Sequence, residues 1–337
     1  MINLISDTVT KPTPTMLDAM FKAEVGDDVF NADPMVNALQ EKAAAMFGME
    51  AALFCPSGTM TNQIAINVHT SDLEEVICDI SSHIYQSEVG GYAYNSRVAV
   101  KLLHGENGKI TAEQVKNAIN PDYDWVPKSS LVIIENTCNK GGGSIYTLEE
   151  LRPISEVCRE NGLNLHLDGA RVFNALVETG DSMLEYGKVF DSISICLSKG
   201  LGCPVGSLLL GNKAFIKQAR RLRKALGGGM RQAGYLAAAG LYALENNIER
   251  LKIDNNRAKK IGAVLQDLPY VKTLRPVQSN IVIFDLAPEI SAAEYIAELE
   301  RHGILAVPFG AQTVRFTTHL DLTDEMIEQV LEILPRI

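Results

Sequence analysis

The stretch Ser192-Ile193-Ser194-Ile195-Cys196-Leu197-Ser198-Lys199-Gly200-Leu201-Gly202-Cys203-Pro204 decides the reading of the chain. Its apolar run, Ser192 to Leu197, fits a strand buried on both faces. A lysine, two glycines and a proline follow at once, and open α/β sheets bind ligands beyond the carboxyl ends of their strands. The preceding candidate strand closes in the same manner, in His166-Leu167-Asp168-Gly169-Ala170-Arg171, with an acid and then a base three residues later.

Working outward, short apolar runs alternate with helical stretches, the pattern of a mostly parallel sheet with crossover helices. The candidate strands are Ala51 to Phe54, Glu75 to Cys78, Leu131 to Ile134, Asn164 to Leu167, Ser192 to Leu197 and Ser207 to Leu210. Between them lie helical patterns over Thr59 to Val68, Thr111 to Asn117 and Leu148 to Glu160, the last opening with Thr147 as N-cap and Glu149 and Glu150 in its first turn. From Leu244 to Leu268 a single long amphipathic pattern reads as a connector. Beyond it come a strand (Asn280 to Leu286), a helix (Ser291 to His302), two strands (Leu305 to Pro308 and Thr313 to Thr317) and a helix (Thr323 to Leu334). The expected architecture is α/β, with a large domain over residues 1–245 and a small α+β domain over residues 246–337.

Composition narrows the class. Hydrophobic residues make up 46% and charged residues 21% of 337, with 26 glycines and 13 prolines, which excludes a disordered or collagen-like chain. Thirty-one basic against 41 acidic residues give a net charge of −10, so no general affinity for nucleic acid or anionic membrane is expected, and Arg220, Arg221, Arg223 and Lys224 form the only local basic run. Six scattered cysteines show no C-x-x-C spacing, so no metal site is expected and the thiols read as core packing in a reducing compartment. The opening residues lack a basic head and a long apolar stretch, and no run approaches a membrane span. A cytoplasmic location is expected.

Asp168 and Lys199 on neighbouring strands aim a carboxylate and an amine into one crevice. Pyridoxal 5'-phosphate needs that pair: a lysine to hold its aldehyde as a Schiff base, and a carboxylate to keep its ring nitrogen protonated so that the ring draws electrons. A phosphate cup is the third requirement. Phe54-Cys55-Pro56-Ser57-Gly58-Thr59-Met60-Thr61-Asn62 follows a candidate strand and opens a helix, so the backbone of Gly58 and the hydroxyl of Thr59 can meet a phosphate at the positive helix end.

Several longer runs resemble one family. Ser6-Asp7-Thr8-Val9-Thr10-Lys11-Pro12-Thr13, Val25-Gly26-Asp27-Asp28-Val29, Pro56-Ser57-Gly58-Thr59-Met60, Leu167-Asp168-Gly169-Ala170-Arg171, Leu197-Ser198-Lys199-Gly200-Leu201-Gly202 and Leu226-Gly227-Gly228-Gly229-Met230-Arg231-Gln232 together resemble the low-specificity threonine aldolases, of the aspartate-aminotransferase-like group of pyridoxal-phosphate enzymes. The resemblance implies cleavage of a β-hydroxy-α-amino acid, such as threonine or allo-threonine, to glycine and an aldehyde. It implies that Lys199 carries the cofactor, Asp168 pairs with its ring nitrogen, Gly58 and Thr59 hold its phosphate, and His83 stacks on the ring and takes part in proton transfer. For the substrate carboxylate it implies Arg171 and Arg315, assisted by Ser6. Arg231 is implied to reach the phosphate of a neighbouring subunit, in a homodimer or homotetramer.

One position departs from the family pattern. Where members commonly read E-N-T-H-N, this chain has Glu135-Asn136-Thr137-Cys138-Asn139, so a thiol replaces the histidine expected beside the substrate hydroxyl. Cysteine is smaller and a weak donor, which puts hydroxyl recognition and diastereomer preference in question. Three other readings share the residues: another lyase, a racemase on the same scaffold, and a noncatalytic ligand-binding protein, the last disfavoured by the presence of Lys199.

Overall fold

The computed structural model describes residues 1–337. In chain order the strands are β1 (Ile2–Asn3), β2 (Ala51–Cys55), β3 (Glu74–Asp79), β4 (Ala99–Leu103), β5 (Lys128–Glu135), β6 (Asn164–Gly169), β7 (Ser192–Cys196) and β8 (Ser207–Gly211), followed by β9 (Val271–Leu274), β10 (Ile281–Leu286), β11 (Ile304–Leu305), β12 (Val307–Pro308) and β13 (Thr313–Thr317). Seven of them form one sheet in the order β2-β8-β7-β6-β5-β3-β4. All neighbours are parallel except at β8, which runs antiparallel to both β2 and β7. Two reversals restore direction. The carboxyl ends of β2, β7, β6, β5 and β3 therefore share one rim, where an open α/β sheet gathers its site.

Central strands are buried along their whole length, as continuous apolar sequence requires. Capping fixes where the covering helices begin. The helix Leu148–Glu160 starts with a capping box between Thr147 and Glu150, and its apolar face packs Leu148, Leu151, Ile154 and Cys158 into the main core. Strand β4 has no counterpart among the sequence expectations. It lies at the sheet edge and carries Ala99 and Lys101, so it lacks the uninterrupted buried character that marks its neighbours.

The second sheet, β12-β13-β10-β9, is antiparallel and builds a separate apolar cluster with the helices Leu251–Gln266, Ala292–Arg301 and Asp324–Ile333. Ile2 and Leu4 join that cluster, and β1 pairs with β11. The first residues of the chain thus pack with its last hundred, and the segment after them crosses to the large sheet. The expected single helix from Leu244 to Leu268 is two helices, Gly234–Asn246 and Leu251–Gln266, with a break at 247–250. Asn247, the C-cap of the first of these helices, is buried at the break, and its side-chain amide donates to the Leu201 carbonyl near the rim. No helix is long and apolar enough to cross a membrane.

The basic run on the helix Lys213–Ala225 is partly an internal brace. Arg223 is buried, donates to the Phe54 carbonyl and pairs with buried Asp28, which also takes Arg220. Asp28→Ala strands the Arg223 charge, and breaking a buried pair costs about 3–5 kcal/mol. A lower urea midpoint is expected, partly restored in the Asp28→Ala/Arg223→Met double variant, where no buried charge remains unpaired.

Candidate active site

Each strand of the rim delivers one component. Strand β7 leads through Leu197 and Ser198 to Lys199, and β6 ends on Asp168 and Gly169. Strand β5 ends on Glu135, whose backbone lies directly across from Asp168. Strand β3 ends on Asp79 and runs into the short helix His83–Gln86. From β2 the chain turns into the helix Gly58–His69, whose first turn leaves the Gly58 and Thr59 amides without intrahelical acceptors. At Gly58 a Cβ meets the Cys196 Sγ of β7 at 2.6 Å, so only glycine lets this helix end press against the neighbouring strand.

His83, Glu88 and Asp168 converge, with one polar atom of each inside 4.8 Å of the others. Asn62 joins them: its Nδ2 donates to Asp168 Oδ2 at 2.8 Å and to Glu88 Oε1 at 2.9 Å. The other Glu88 oxygen accepts from Gln63 Nε2 at 2.6 Å. His83 Nδ1 lies 2.9 Å from Glu88 Oε1, so the ring donates from Nδ1 and its Nε2 stays free for another partner. That hydrogen bond raises the His83 pKa above its ordinary value against the opposing effect of burial, with the charges of Asp168 and Glu135 adding to it.

A second group surrounds Lys199. Arg171 donates from Nε and Nη2 to the two oxygens of Asp7, each at 2.7 Å, and Asn280 adds a third donor. Burial works against the Asp7 charge, yet the Arg171 cation overrides it and holds the carboxyl at about 2. Lys199 contributes to the same field, and its amine makes no hydrogen bond or ion pair. Its backbone carbonyl accepts from Thr10, which ties the N-terminal segment to the rim. Ser6, beside Asp7, caps the short helix Asp7–Val9 through Thr8.

Arg315 on β13 reaches this group from the smaller sheet. Its guanidinium lies 4.8 Å from the Phe309 ring centre, Nη1 donates to Asn139 Oδ1 and Nη2 to the Ile5 carbonyl. Burial and the Arg171 charge bring its pKa down to about 10, and its buried Nε has no partner. Such an orphaned cationic donor, in the same Asp7 field as a free amine, suits an α-amino acid, which supplies the missing carboxylate.

Two candidates stand apart. Arg231 is exposed, 3.6 Å from Asp27, on the loop after the helix Lys213–Ala225, and touches none of the other site residues within the protomer. Cys138 is buried, and its single S–H has the Glu135 carbonyl at 3.0 Å as its nearer acceptor, with the Gly108 carbonyl at 3.5 Å. Burial, with the Glu135 charge, pushes that thiol well above its ordinary pKa, so it is a neutral donor.

Sequence reading assigned no role to Asp7, Asn62, Glu88, Glu135 or Asn139. Four of these sit inside quoted motifs near assigned residues, and that proximity was the available signal. Glu88 has only its spacing of five from His83.

The residues fit pyridoxal phosphate: a free amine, a buried carboxylate on the adjacent strand, and uncommitted amides at a tightly packed helix start. This is the rim of a pyridoxal-phosphate-dependent lyase of the aspartate-aminotransferase-like fold. A family profile described as beta-eliminating lyase matches residues 3–288. The chain is 42% identical over 331 residues to the low specificity L-threonine aldolase of Escherichia coli (strain K12), covering 98% of this chain and 97% of that one. It is 39% identical over 343 residues to the probable low-specificity L-threonine aldolase 2 of Arabidopsis thaliana, covering 100% and 97%. A solved threonine aldolase of Leishmania major superposes with a TM-score of 0.87 at 24% identity, covering 100% and 99%, and shares the fold. The chain belongs to the low-specificity L-threonine aldolase family.

Glu135 provides a test of the site's electrostatics. Burial and the adjacent Asp168 charge push its carboxyl up to about 7, although the His83 and Asn139 amides each donate to it at 2.9 Å. A carboxyl whose folded pKa lies above its unfolded value stabilises fully below the unfolded value, near 4.5, and loses that contribution as pH rises through 7. Wild type is expected to lose stability relative to Glu135→Gln over that interval. A protonated-carboxyl infrared band that titrates near neutrality should disappear in the variant.

Proposed function

We propose that the protein cleaves L-threonine, L-allo-threonine and related β-hydroxy-α-amino acids to glycine and an aldehyde, using pyridoxal phosphate. The observation that carries this reading is the free Lys199 amine in the field of Asp7, with the half-buried Arg315 guanidinium, one donor unmatched, in the same field. The names of the end-to-end relatives supply the particular reaction.

Pyridoxal phosphate, when bound, supplies an aldehyde that condenses with amines and a ring that takes up an electron pair. Lys199 holds it through its amine, Asp168 supplies the charge opposite its ring nitrogen, and Gly58 and Thr59 receive its phosphate. Arg315, with Arg171 and Ser6, grips the substrate carboxylate. A carboxylate fixed at two points fixes which bond at Cα is set to break, so these residues select the reaction by orientation. Asp7 takes two of the five Arg171 donors and balances its charge, so Arg315 provides the larger share of the grip. His83 stands beside Asp168 with Nδ1–H pinned by Glu88 and holds or accepts a proton at Nε2. The functional unit is a homodimer or homotetramer in the cytoplasm, with Arg231 extending into the neighbour's site.

The second reading, β-elimination, is favoured by the description of the matching family. It retains Lys199 and Asp168 but releases ammonia instead of glycine, and a racemase inverts Cα without cleavage. Incubation with both diastereomers of threonine is expected to yield glycine and acetaldehyde, and the proposal is overturned if the main product is ammonia or the Cα epimer, D-allo-threonine from L-threonine or D-threonine from L-allo-threonine. Lys199→Ala is expected to abolish turnover with the circular dichroism spectrum retained.

Cys138→His tests hydroxyl recognition. A single hydrogen bond is worth about 1 kcal/mol, enough to alter a ratio of kcat/KM values several-fold. The threonine to allo-threonine ratio is expected to shift more than cofactor affinity does. An unchanged ratio assigns Cys138 to packing.

A further inference from the structure

Behind Asp168 runs a line of buried polar groups that the reaction described above does not use. His69 Nε2 lies 2.8 Å from Ser192 Oγ, Ser192 Oγ lies 2.8 Å from His166 Nδ1, and His166 Nε2 lies 3.2 Å from Asn62 Oδ1. Asn62 Nδ2 then reaches Asp168 at 2.8 Å. Asn62, His166, Ser192 and Asp168 are all buried, and His69 stacks on Phe215 with ring centres 4.5 Å apart.

The direction of every proton in this line follows from one end. Two carboxylates, Asp168 and Glu88, face the same side of the Asn62 amide and only accept, so that side is the NH2 and each takes one of its hydrogens. Asn62 therefore presents its oxygen to His166, and His166 must donate from Nε2. Burial lowers the His166 pKa to about 4, so the ring is neutral and its Nδ1 is a lone pair. Ser192 must donate its single hydrogen to that lone pair, and His69 must donate from Nε2 to the Ser192 oxygen. His69, lowered to about 3 chiefly by burial, is neutral as well. No member has freedom to reverse without leaving two acceptors or two donors face to face, which inside a protein forfeits the full solvation of both groups.

We propose that His69, Ser192, His166 and Asn62 form a one-way hydrogen-bond relay that positions the Asp168 carboxylate and sustains its charge, with His166 as the positioning residue that fixes the Asn62 amide. This rests on the reading of Asp168 as the partner of the cofactor's ring nitrogen. The relay matters because Asp168 lies in a field that opposes a second negative charge. Glu135 on β5 and Glu88 beyond the helix His83–Gln86 are both near it, and His83 is the adjacent group that can carry positive charge. Hydrogen bonds donated to a carboxylate favour its ionised form, and a donor held in place by its own neighbours does so without reorganising.

The test is the visible absorbance of the bound cofactor as a function of pH, read on the loaded protein and independent of turnover. His166→Phe keeps the volume and removes the donor to Asn62 Oδ1, so the amide loses its anchor on that side and its hydrogen bond to Asp168 loosens. Weaker protonation of the ring removes a positive charge that opposes protonation elsewhere on the cofactor, so the absorbance midpoint is expected to rise by about one pH unit, a tenfold change. His166→Gln retains an N–H near the Nε2 position and is expected to keep most of the wild-type midpoint. Ser192→Ala, two links from Asp168, is expected to move it in the same direction by less. Asp168→Asn is the control: if it leaves the midpoint in place, the reading of Asp168 fails. If Asp168→Asn moves the midpoint and folded His166→Phe does not, or if Gln is as damaging as Phe, the relay fails. Should His166→Phe not fold or load cofactor, an unchanged midpoint in Ser192→Ala overturns the proposal.

Discussion

Two carboxylates face one another at the carboxyl ends of adjacent parallel strands, Glu135 on β5 and Asp168 on β6, and the site is organised around that repulsion. Neither side chain has open water to spread its charge, since both are buried. The structure answers with donors. Glu135 takes the amides of His83 and Asn139, and Asp168 takes the Asn62 amide and the backbone N–H of Ala170. Each donor belongs to a different segment, so satisfying the two charges also fastens those segments to the rim.

The fastening runs outward. Asn139, held by Glu135, holds Arg315 through its side-chain oxygen. His83, whose backbone is held by Glu135, is turned by Glu88, which Asn62 and Gln63 secure from the helix Gly58–His69. The Arg315 guanidinium and the His83 imidazole are therefore both registered to the end of one strand. A displacement of Glu135 is felt at both positions, which lie on opposite sides of it in sequence.

Much of this was legible in the chain, for a definable reason. Strand ends are marked by a change from apolar to polar sequence, so Asp168 and Lys199 announce themselves, and a glycine at a helix start announces Gly58. The relay behind Asp168 has no such mark. His166, Ser192 and Asn62 occupy apolar segments where a polar residue reads as an interruption, and their partners lie 26, 104 and 123 residues away. The break at 247–250 was hidden likewise: helical periodicity continues across it, and the Asn247 side chain there finds its partner in Leu201, far away in sequence.

The two arginines show how position in the fold divides a task that residue type alone leaves undivided. Arg171 follows β6 directly, and Asp7 from the N-terminal segment occupies two of its donors in a buried pair. Its charge is thereby largely neutralised, and its rigidity is gained at the expense of free hydrogen-bonding capacity. Arg315 comes from the other sheet, meets a neutral amide, a carbonyl and an aromatic face, and keeps both an unmatched Nε and an uncompensated charge. An incoming carboxylate gains most from the guanidinium that has no anion already. Because β13 carries that guanidinium while Lys199 lies beyond β7, an amino acid can engage both only where the two apolar clusters meet, so the pairing of β1 with β11 and the Thr10 contact to Lys199 shape the site as much as the residues that line it.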